Sequence, residues 1–343
     1  MPLGSVAMIL DKNNKLAITA YLQSLGIINL AEVINYAEKP GEGNMNYTLR
    51  VKTGTKSFII KQARPYVEKY PHIPAPQQRA LAEAGFYNLI KENTFLRRCM
   101  PGLKGVDEKN FILILGDLGD AHDGSILYQH QKKLSSKEME DLGNYLSVLH
   151  TGFKKENEDE NELMANHELR QLNHEHIFVY PLQLDNGFNL DNIQPGLQQL
   201  AMPFKTNQNL KDKAEELGKK YFQDGNTLLH GDFYPGSWLF TNEGIKIIDP
   251  EFCFYGMPEF DVAVFKAHLM MAEQEETFIN NLFTFYKKPT NFNDELFDAF
   301  TGIEIIRRII GLAQLPLSLT LHQKKLLLHS ALILLRAEQK VIL

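Results

Sequence analysis

Leu228-Leu229-His230-Gly231-Asp232-Phe233-Tyr234-Pro235-Gly236-Ser237-Trp238-Leu239-Phe240 runs from one apolar stretch through a polar loop into another. Gly231-Asp232 and Pro235-Gly236 are turn dipeptides, so the pattern predicts strand, loop, strand. Read as a turn alone, the segment carries no chemistry. Read as a site, it stands Asp232 at a strand end, where a carboxylate can accept a hydroxyl proton. Ser237 then places a polar oxygen five residues on, within reach of a metal ion or its water. The next apolar run, Ile245-Lys246-Ile247-Ile248, leads into Asp249-Pro250-Glu251. A β-hairpin between Asp232 and Asp249 returns the chain and sets the two carboxylates side by side. Asp249 and Glu251 flank a proline that fixes the turn, and together they offer several oxygens to a hard cation. Without a cation, the same pair reads as a cap on the following segment.

A carboxylate base followed at the fifth residue by a metal-facing oxygen is the spacing of a phosphoryl-transfer loop, and Mg²⁺ between phosphates suits the Asp249/Glu251 pair. Such a site also needs positive charge. Lys61 ends the apolar run Phe58-Ile59-Ile60-Lys61, where a lysine can reach inward to phosphates, and Glu83 on the following helix is its expected ion-pair partner. Gly41-Glu42-Gly43-Asn44-Met45-Asn46 lets backbone N–H groups approach a phosphate closely, although a Gly-rich turn alone is weak evidence. No GxxxxGK[ST] occurs, so this is not a P-loop. Arg307 and Arg308 stand on the apolar helix Gly302 to Ala313. Adjacent helical positions diverge by about 100°, so at most one of the pair is expected to face a site.

Working outward, the 343 residues carry 36 Lys+Arg against 42 Asp+Glu, a net charge of −6 that argues against a nucleic-acid partner. Composition is that of an ordinary globular protein, and the length predicts two lobes. Cys99 and Cys253 are far apart and form neither a disulfide framework nor a thiolate cage, which fits a cytoplasmic setting. No apolar run reads as a signal peptide or membrane span. Residues 15 to 24 predict a helix. Three antiparallel strands follow between Glu32 and Lys61, then a Pro-rich loop at Tyr70 to Pro76, a helix over 77 to 92, and strands near Leu103 to Val106 and Phe111 to Leu115. From Ser135 the pattern is mainly helical, with the charged run Lys154 to Glu162 as a solvated turn and Asp185 to Asn209 as a polar loop. The expected fold class is α+β, a small antiparallel-sheet lobe over 1–115 ahead of a larger, mainly helical lobe over 116–343. His174 and His176 read as packing residues rather than a metal pair, and His150 as a buried residue with a polar partner.

The order Gly-rich turn, strand Lys, helix Glu, HGDxxxxS, DPE resembles the protein-kinase-like superfamily of aminoglycoside phosphotransferases and choline kinases. Within it the sequence is most similar to the methylthioribose kinases. The matching residues are Gly41, Gly43, Asn44 and Asn46; Ile59-Ile60-Lys61-Gln62; His230-Gly231-Asp232 with Gly236-Ser237; Asp249-Pro250-Glu251-Phe252-Cys253-Phe254-Tyr255-Gly256; Asn166 to Leu169; Phe260-Asp261; and Glu304 to Ala313. The resemblance implies a two-lobe kinase fold and a nucleotide-binding first lobe. It implies ATP as donor, Asp232 as base, and Asp249, Glu251 and Ser237 as the Mg²⁺ residues. Lys61 and the Gly-rich loop would hold the nucleotide phosphates, and backbone groups around Leu115 and Asp117 the adenine. Arg307 and Arg308 would both face the sugar and the transferred phosphate, against the helical-geometry expectation, and Asp261 would support the Asp232 loop. The implied acceptor is a methylthioribose-like sugar. Alternatives are an aminoglycoside, a choline-like amine, another sugar, or a binding module that retains ATP without turnover. The resemblance also suggests a homodimer. A hydrolase pairing Asp232 with Glu251 leaves Lys61 and the Gly-rich loop unexplained.

Overall fold

A computed structural model describes residues 8–41, 43, 45–129, 132–155 and 162–337. In chain order the elements are α1 (Lys15–Ser24), β1 (Tyr36–Glu38), β2 (Tyr47–Lys52), β3 (Ser57–Gln62), β4 (Tyr66–Val67), β5 (Tyr70–Pro74), α2 (Arg79–Ile90), α3 (Thr94–Arg98), β6 (Leu103–Asp107), β7 (Ile112–Gly116), β8 (His122–Asp123), α4 (Ser136–Gly152), α5 (Glu162–Ala165), α6 (His167–His174), α7 (Leu197–Lys205), α8 (Gln208–Phe222), β9 (Thr227–Leu229), β10 (Trp238–Thr241), β11 (Gly244–Ile247), β12 (Phe254–Gly256), α9 (Glu259–Met271), α10 (Glu276–Asn280), α11 (Leu282–Phe285), α12 (Asp294–Ile310) and α13 (Leu321–Leu334). They fall into two compact units. The first takes in the chain through Ala121 together with the segments ending at Leu169 and running over Lys246–Phe252, and the second holds the rest.

The first unit is built on an antiparallel sheet of order β1-β2-β3-β7-β6. Thr53 makes the β2–β3 turn, its hydroxyl oxygen accepting the Thr55 and Lys56 N–H groups at 3.2 and 2.9 Å. Alternation along β3 sends Phe58 and Ile60 to one face, where they pack with Leu49, Val51, Ile112 and Ile114 of the sheet and with Ile18 and Leu22 of α1. Lys61 pairs in register with Leu113, which packs with Ala80 and Ala84 of α2 on the opposite face. Strand alternation therefore aims Lys61 at α2. Lys246–Phe252 is tied into this unit by the Ile247 N–H on the Cys99 carbonyl at 2.6 Å and the Lys246 ammonium on the Arg98 carbonyl at 2.9 Å.

Two expectations are corrected here. The Pro-rich stretch after Tyr70 is not a loop: β5 pairs antiparallel with β4. Both strands of a two-stranded ribbon are edges, the place in a sheet where proline is tolerated. In the second unit the polar region from Asp185 to Asn209 contains α7, because Leu197, Ala201 and Phe204, at i, i+4 and i+7, are buried along one face. Residues 156–161 of the charged run lie outside the described residues.

The second unit is mainly helical, with β8 paired to β10 and β9 to β12. Its α4 starts as the sequence predicts, on a capping box in which the Ser135 hydroxyl accepts the Glu138 N–H and the Glu138 carboxylate accepts the Ser135 N–H. Its centre is α12 packed against α9 and α13. Among the described residues no helix is long and apolar enough to cross a membrane.

Candidate active site

In the first unit the sheet delivers Lys61, 4% exposed, to a cluster of carboxylates. Its ammonium donates to both Glu83 oxygens at 2.7 and 2.8 Å and to Asp249 Oδ1 at 2.7 Å. The structure thus brings Lys61, Glu83 and Asp249 together. Asp249 sits at φ +62°, a left-handed conformation that aspartate tolerates better than most side chains. Glu251, next but one, is buried and accepts from Asn46 Nδ2 at 2.9 Å, with Arg79 Nε at 3.4 Å. Arg79 Nε also donates to Asn46 Oδ1 at 3.0 Å, so the Asn46 amide bridges Arg79 and Glu251. Asn166 Nδ2 donates to the Glu251 carbonyl at 2.8 Å and holds the turn from the other side.

Charge and burial compete in this cluster. Burial alone would push the Lys61 ammonium down, but Asp249 and Glu83 hold it above the usual lysine range. Burial pushes the Glu83 carboxyl up against the pull of Lys61, and the Glu251 carboxyl up against Lys61 and Arg79. Three carboxylates face two cations, which leaves room for one more positive charge. Asp249 is 45% exposed and meets Lys61 through Oδ1, leaving Oδ2 for a ligand. These are hard oxygen donors, and Mg²⁺ is commonly held by one or two carboxylates with substrate phosphates completing its shell, so the residues present fit it. Among the described residues no group of three or more His, Cys, Asp or Glu is arranged to hold a metal alone.

The other expected nucleotide residues are placed as follows. Gly41 has open space around it and Gly43 lies against the Asn46 carbonyl, while Asn44 is outside the described residues. Leu115 is buried in β7, paired with Ile59 and Leu103. The Asp117 carboxylate accepts from Arg50, Ser57 and the Gly119 N–H, so its side chain fixes the local chain and only its backbone is available to a ligand.

In the second unit the Asp232 loop hangs from α9. Asp261, fully buried in the first turn of that helix, accepts the His230 N–H at 2.6 Å and the Gly231 N–H at 2.9 Å. Gly231 has φ +84°, where a Cβ would be strained, and that conformation lets two successive N–H groups converge on one carboxylate. His150 Nε2 lies 3.2 Å from Asp261 Oδ2 and its Nδ1 2.9 Å from the Tyr286 hydroxyl, so His150 is the buried, polar-partnered residue expected. The Ser237 hydroxyl donates to the Asp232 carbonyl at 3.0 Å, closing the loop and leaving its oxygen lone pairs free. Ser237 and Asp232 belong to the second unit, Asp249 and Glu251 to the first.

The Asp232 carboxylate, 17% exposed, accepts from Arg308 Nη2 at 3.0 Å, with Arg307 Nη1 at 4.0 Å. Both arginines therefore reach it, which overturns the geometric expectation that only one would. The cause is Glu304, one helical turn before them, which accepts from Arg308 Nε at 2.6 Å and Arg307 Nη1 at 3.1 Å. The Arg308 guanidinium also lies 4.7 Å above the Tyr234 ring. Burial holds the Asp232 carboxyl above the usual aspartate range despite Arg308 and Arg307. Burial alone would raise Glu304 too, but the two guanidiniums hold it well below the carboxylate range.

Sequence reasoning does not single out Glu304, His268, Asn173 or Arg79 as site residues, whereas Asn46, expected in the nucleotide loop, bonds Arg79 and Glu251. The only signal for Glu304 is its i, i+3, i+4 spacing to the arginine pair. His174 ends α6 and His176 follows it on the π-helical turn Glu175–Val179, with the His174 ring stacked on Phe222 at 4.4 Å.

The family model described as the phosphotransferase enzyme family matches residues 37–297, well over half of the chain. The chain belongs to the phosphotransferase enzyme family. Among curated relatives, this phosphotransferase is 29% identical over 332 residues to methylthioribose kinase of Bacillus velezensis, covering 84% of this chain and 83% of that protein. It is 26% identical over 322 residues to methylthioribose kinase of Bacillus cereus, with 80% and 78% coverage. Among solved structures it resembles choline kinase LicA from Streptococcus pneumoniae, with TM-score 0.53, 13% identity, and coverage of 95% of this chain and 100% of that one. It also resembles an ethanolamine kinase of Plasmodium vivax, with TM-score 0.55, 11% identity, and coverage of 95% and 88%. These likenesses show the kinase-like α+β fold that the sequence predicts.

Proposed function

We propose that this phosphotransferase is an ATP-dependent kinase of a small neutral sugar, with methylthioribose as the first acceptor to test. The observation that carries the reading is the Asp232 carboxylate held beside Arg308 and Arg307, in a chain whose curated relatives over about four fifths of its length are methylthioribose kinases. Asp232 accepts the proton of the attacking hydroxyl. Burial raises its affinity for a proton, which favours that step. Arg307 and Arg308 stabilise charge on the transferring phosphoryl group.

In this reading Lys61, oriented by Glu83, binds the nucleotide phosphates together with Gly41, Gly43 and Asn46, and the backbone near Leu115 and Asp117 takes the adenine. Asp249 and Glu251 would hold Mg²⁺, which neutralises phosphate charge when bound. A cysteine count of two, with Cys99 and Cys253 far apart in the sequence, and the use of ATP support a cytoplasmic setting.

The charge around the base bears on the acceptor. Arg307 and Arg308 balance Asp232 and Glu304, so this cluster has no surplus negative charge with which to attract a polycation. That disfavours aminoglycoside and choline-like acceptors relative to a neutral polyol. The reading is tested by Mg·ATP-dependent ADP release with methylthioribose, ribose analogues, choline and aminoglycosides, using Asp232→Ala as control. Turnover of methylthioribose that disappears in the variant is expected. Turnover of a cationic acceptor alone refutes the sugar assignment, and ATP binding without turnover of any acceptor favours a binding module.

A further inference from the structure

A single carboxylate governs the arginine pair. Glu304 is buried, and both its oxygens are occupied: Oε1 accepts from Arg308 Nε at 2.6 Å and lies 3.1 Å from His268 Nε2, while Oε2 accepts from Arg307 Nη1 at 3.1 Å. His268 is itself buried, and its Nδ1 lies 2.5 Å from the Tyr128 hydroxyl. Burial pushes His268 down to about 4, so the ring is neutral and carries one proton. A carboxylate can only accept, so that proton is on Nε2 and points at Glu304. Nδ1 is then an acceptor, and Tyr128 donates to it. The chain of donors runs Tyr128 to His268 to Glu304, with both guanidiniums converging on the same carboxylate.

We propose that Glu304, oriented by His268 and Tyr128, is a positioning residue that gathers the two diverging arginines onto the Asp232 face and keeps their remaining donors free for the acceptor and the transferred phosphoryl group. This rests on the kinase reading above. Without Glu304, side chains at adjacent helical positions would separate, and Arg308 would be free to turn its fork fully onto Asp232. Asn173 Oδ1 accepts from Arg307 Nη2 at 3.3 Å but touches only that arginine, so it cannot replace the shared anchor.

Glu304→Gln keeps the shape and removes the charge. We expect kcat to fall about 100-fold, the size of effect a small misplacement of reacting groups produces, with the KM for ATP unchanged and that for the acceptor raised. Tyr128→Phe, which does not touch the arginines, should move the same constants in the same direction by a smaller factor. An independent readout is the NMR signal of the Arg308 Nε–H group, assigned with Arg308→Lys: the short bond to Glu304 should shift it downfield and slow its exchange, and both features should be lost in Glu304→Gln. If that variant does not fold, Tyr128→Phe and His268→Gln carry the same test. Unchanged Nε–H signals, or wild-type kcat and acceptor KM in the folded variants, overturn the proposal. A wild-type protein that shows the shifted signal yet phosphorylates no acceptor defeats the kinase reading and leaves the anchoring role standing.

Discussion

Replacing Lys61 by Met removes a buried cation from between Glu83 and Asp249 while leaving Glu251 and Arg79 in place. Three carboxylates then face one guanidinium. Removing one partner of a buried ion pair costs about 3–5 kcal/mol, because the group left behind stays desolvated without its counter-charge. With an unfolding entropy of about 2.1 cal/mol/K per residue over 343 residues, each kcal/mol is worth about 1.4 °C, and the unfolding midpoint should drop by about 4–7 °C at pH 8.5. The pH dependence has a definite sign. Burial already raises the folded-state values of Glu83 and Glu251, and Lys61 is a main influence holding them down. Without it both rise further, so the folded variant binds protons that the unfolded chain releases, and its stability falls as pH rises. The deficit relative to wild type should therefore be small at pH 5.5 and grow through neutrality, with each carboxyl in its titration window contributing about 1.36 kcal/mol per pH unit.

Thermal unfolding of both proteins across pH 5.5–8.5, with and without MgCl₂, measures this directly. A divalent cation among the uncovered carboxylates should recover part of the loss in the variant and shift wild type less. Turnover should fall by about 10²–10³-fold, the scale for removing one charge-stabilising donor. A midpoint within about 2 °C of wild type at pH 8.5, or a deficit equal at pH 5.5 and 8.5, would refute the claim that the Lys61 charge holds this cluster together.

Asp232→Asn should abolish turnover, by about 10²–10⁴-fold in a proton-transfer step, without lowering stability. Because the folded Asp232 carboxyl lies above its unfolded value of 3.8, its ionisation at pH 7.5 opposes folding. The variant should therefore unfold at or above the wild-type temperature at pH 7.5, and the difference should vanish towards pH 4; a lower midpoint at pH 7.5 contradicts the assigned direction. Asp261→Asn puts an NH₂ group where two backbone N–H donors need an acceptor. It should cost about 1.5–3 kcal/mol in thermal unfolding, and turnover should fall with ATP binding retained; a variant with wild-type kcat would show that the Asp232 loop holds its shape without this support.

Local periodicity made much of the scaffold legible. β2 and β3 lie between turn signals that depend on the residues themselves, and Lys61 meets Glu83 because strand alternation and helix facing both point that way. What was hidden depends on contacts between distant segments. Proline argues against a strand in general, but Pro71 and Pro74 stand in a ribbon with no further neighbours to pair, a fact only the tertiary arrangement supplies. Polar composition hid α7 because three buried positions are enough to dock a helix whose other faces are wet.

The arginine pair is the most informative failure. Helical geometry alone says that Arg307 and Arg308 diverge, and it is correct about their Cβ directions. It says nothing about where two long, forked side chains end once one carboxylate a turn earlier binds both. The sequence resemblance corrected the expectation for the pair but assigned Glu304 no role. Structure supplies the missing cause: with Glu304 ionised and fixed by His268, the lowest-energy place for both guanidiniums is one face, beside Asp232. An E-x-x-R-R spacing on an otherwise apolar, buried helix is therefore a site signal in its own right, because burying three charges without such pairing would cost more than the helix could offset.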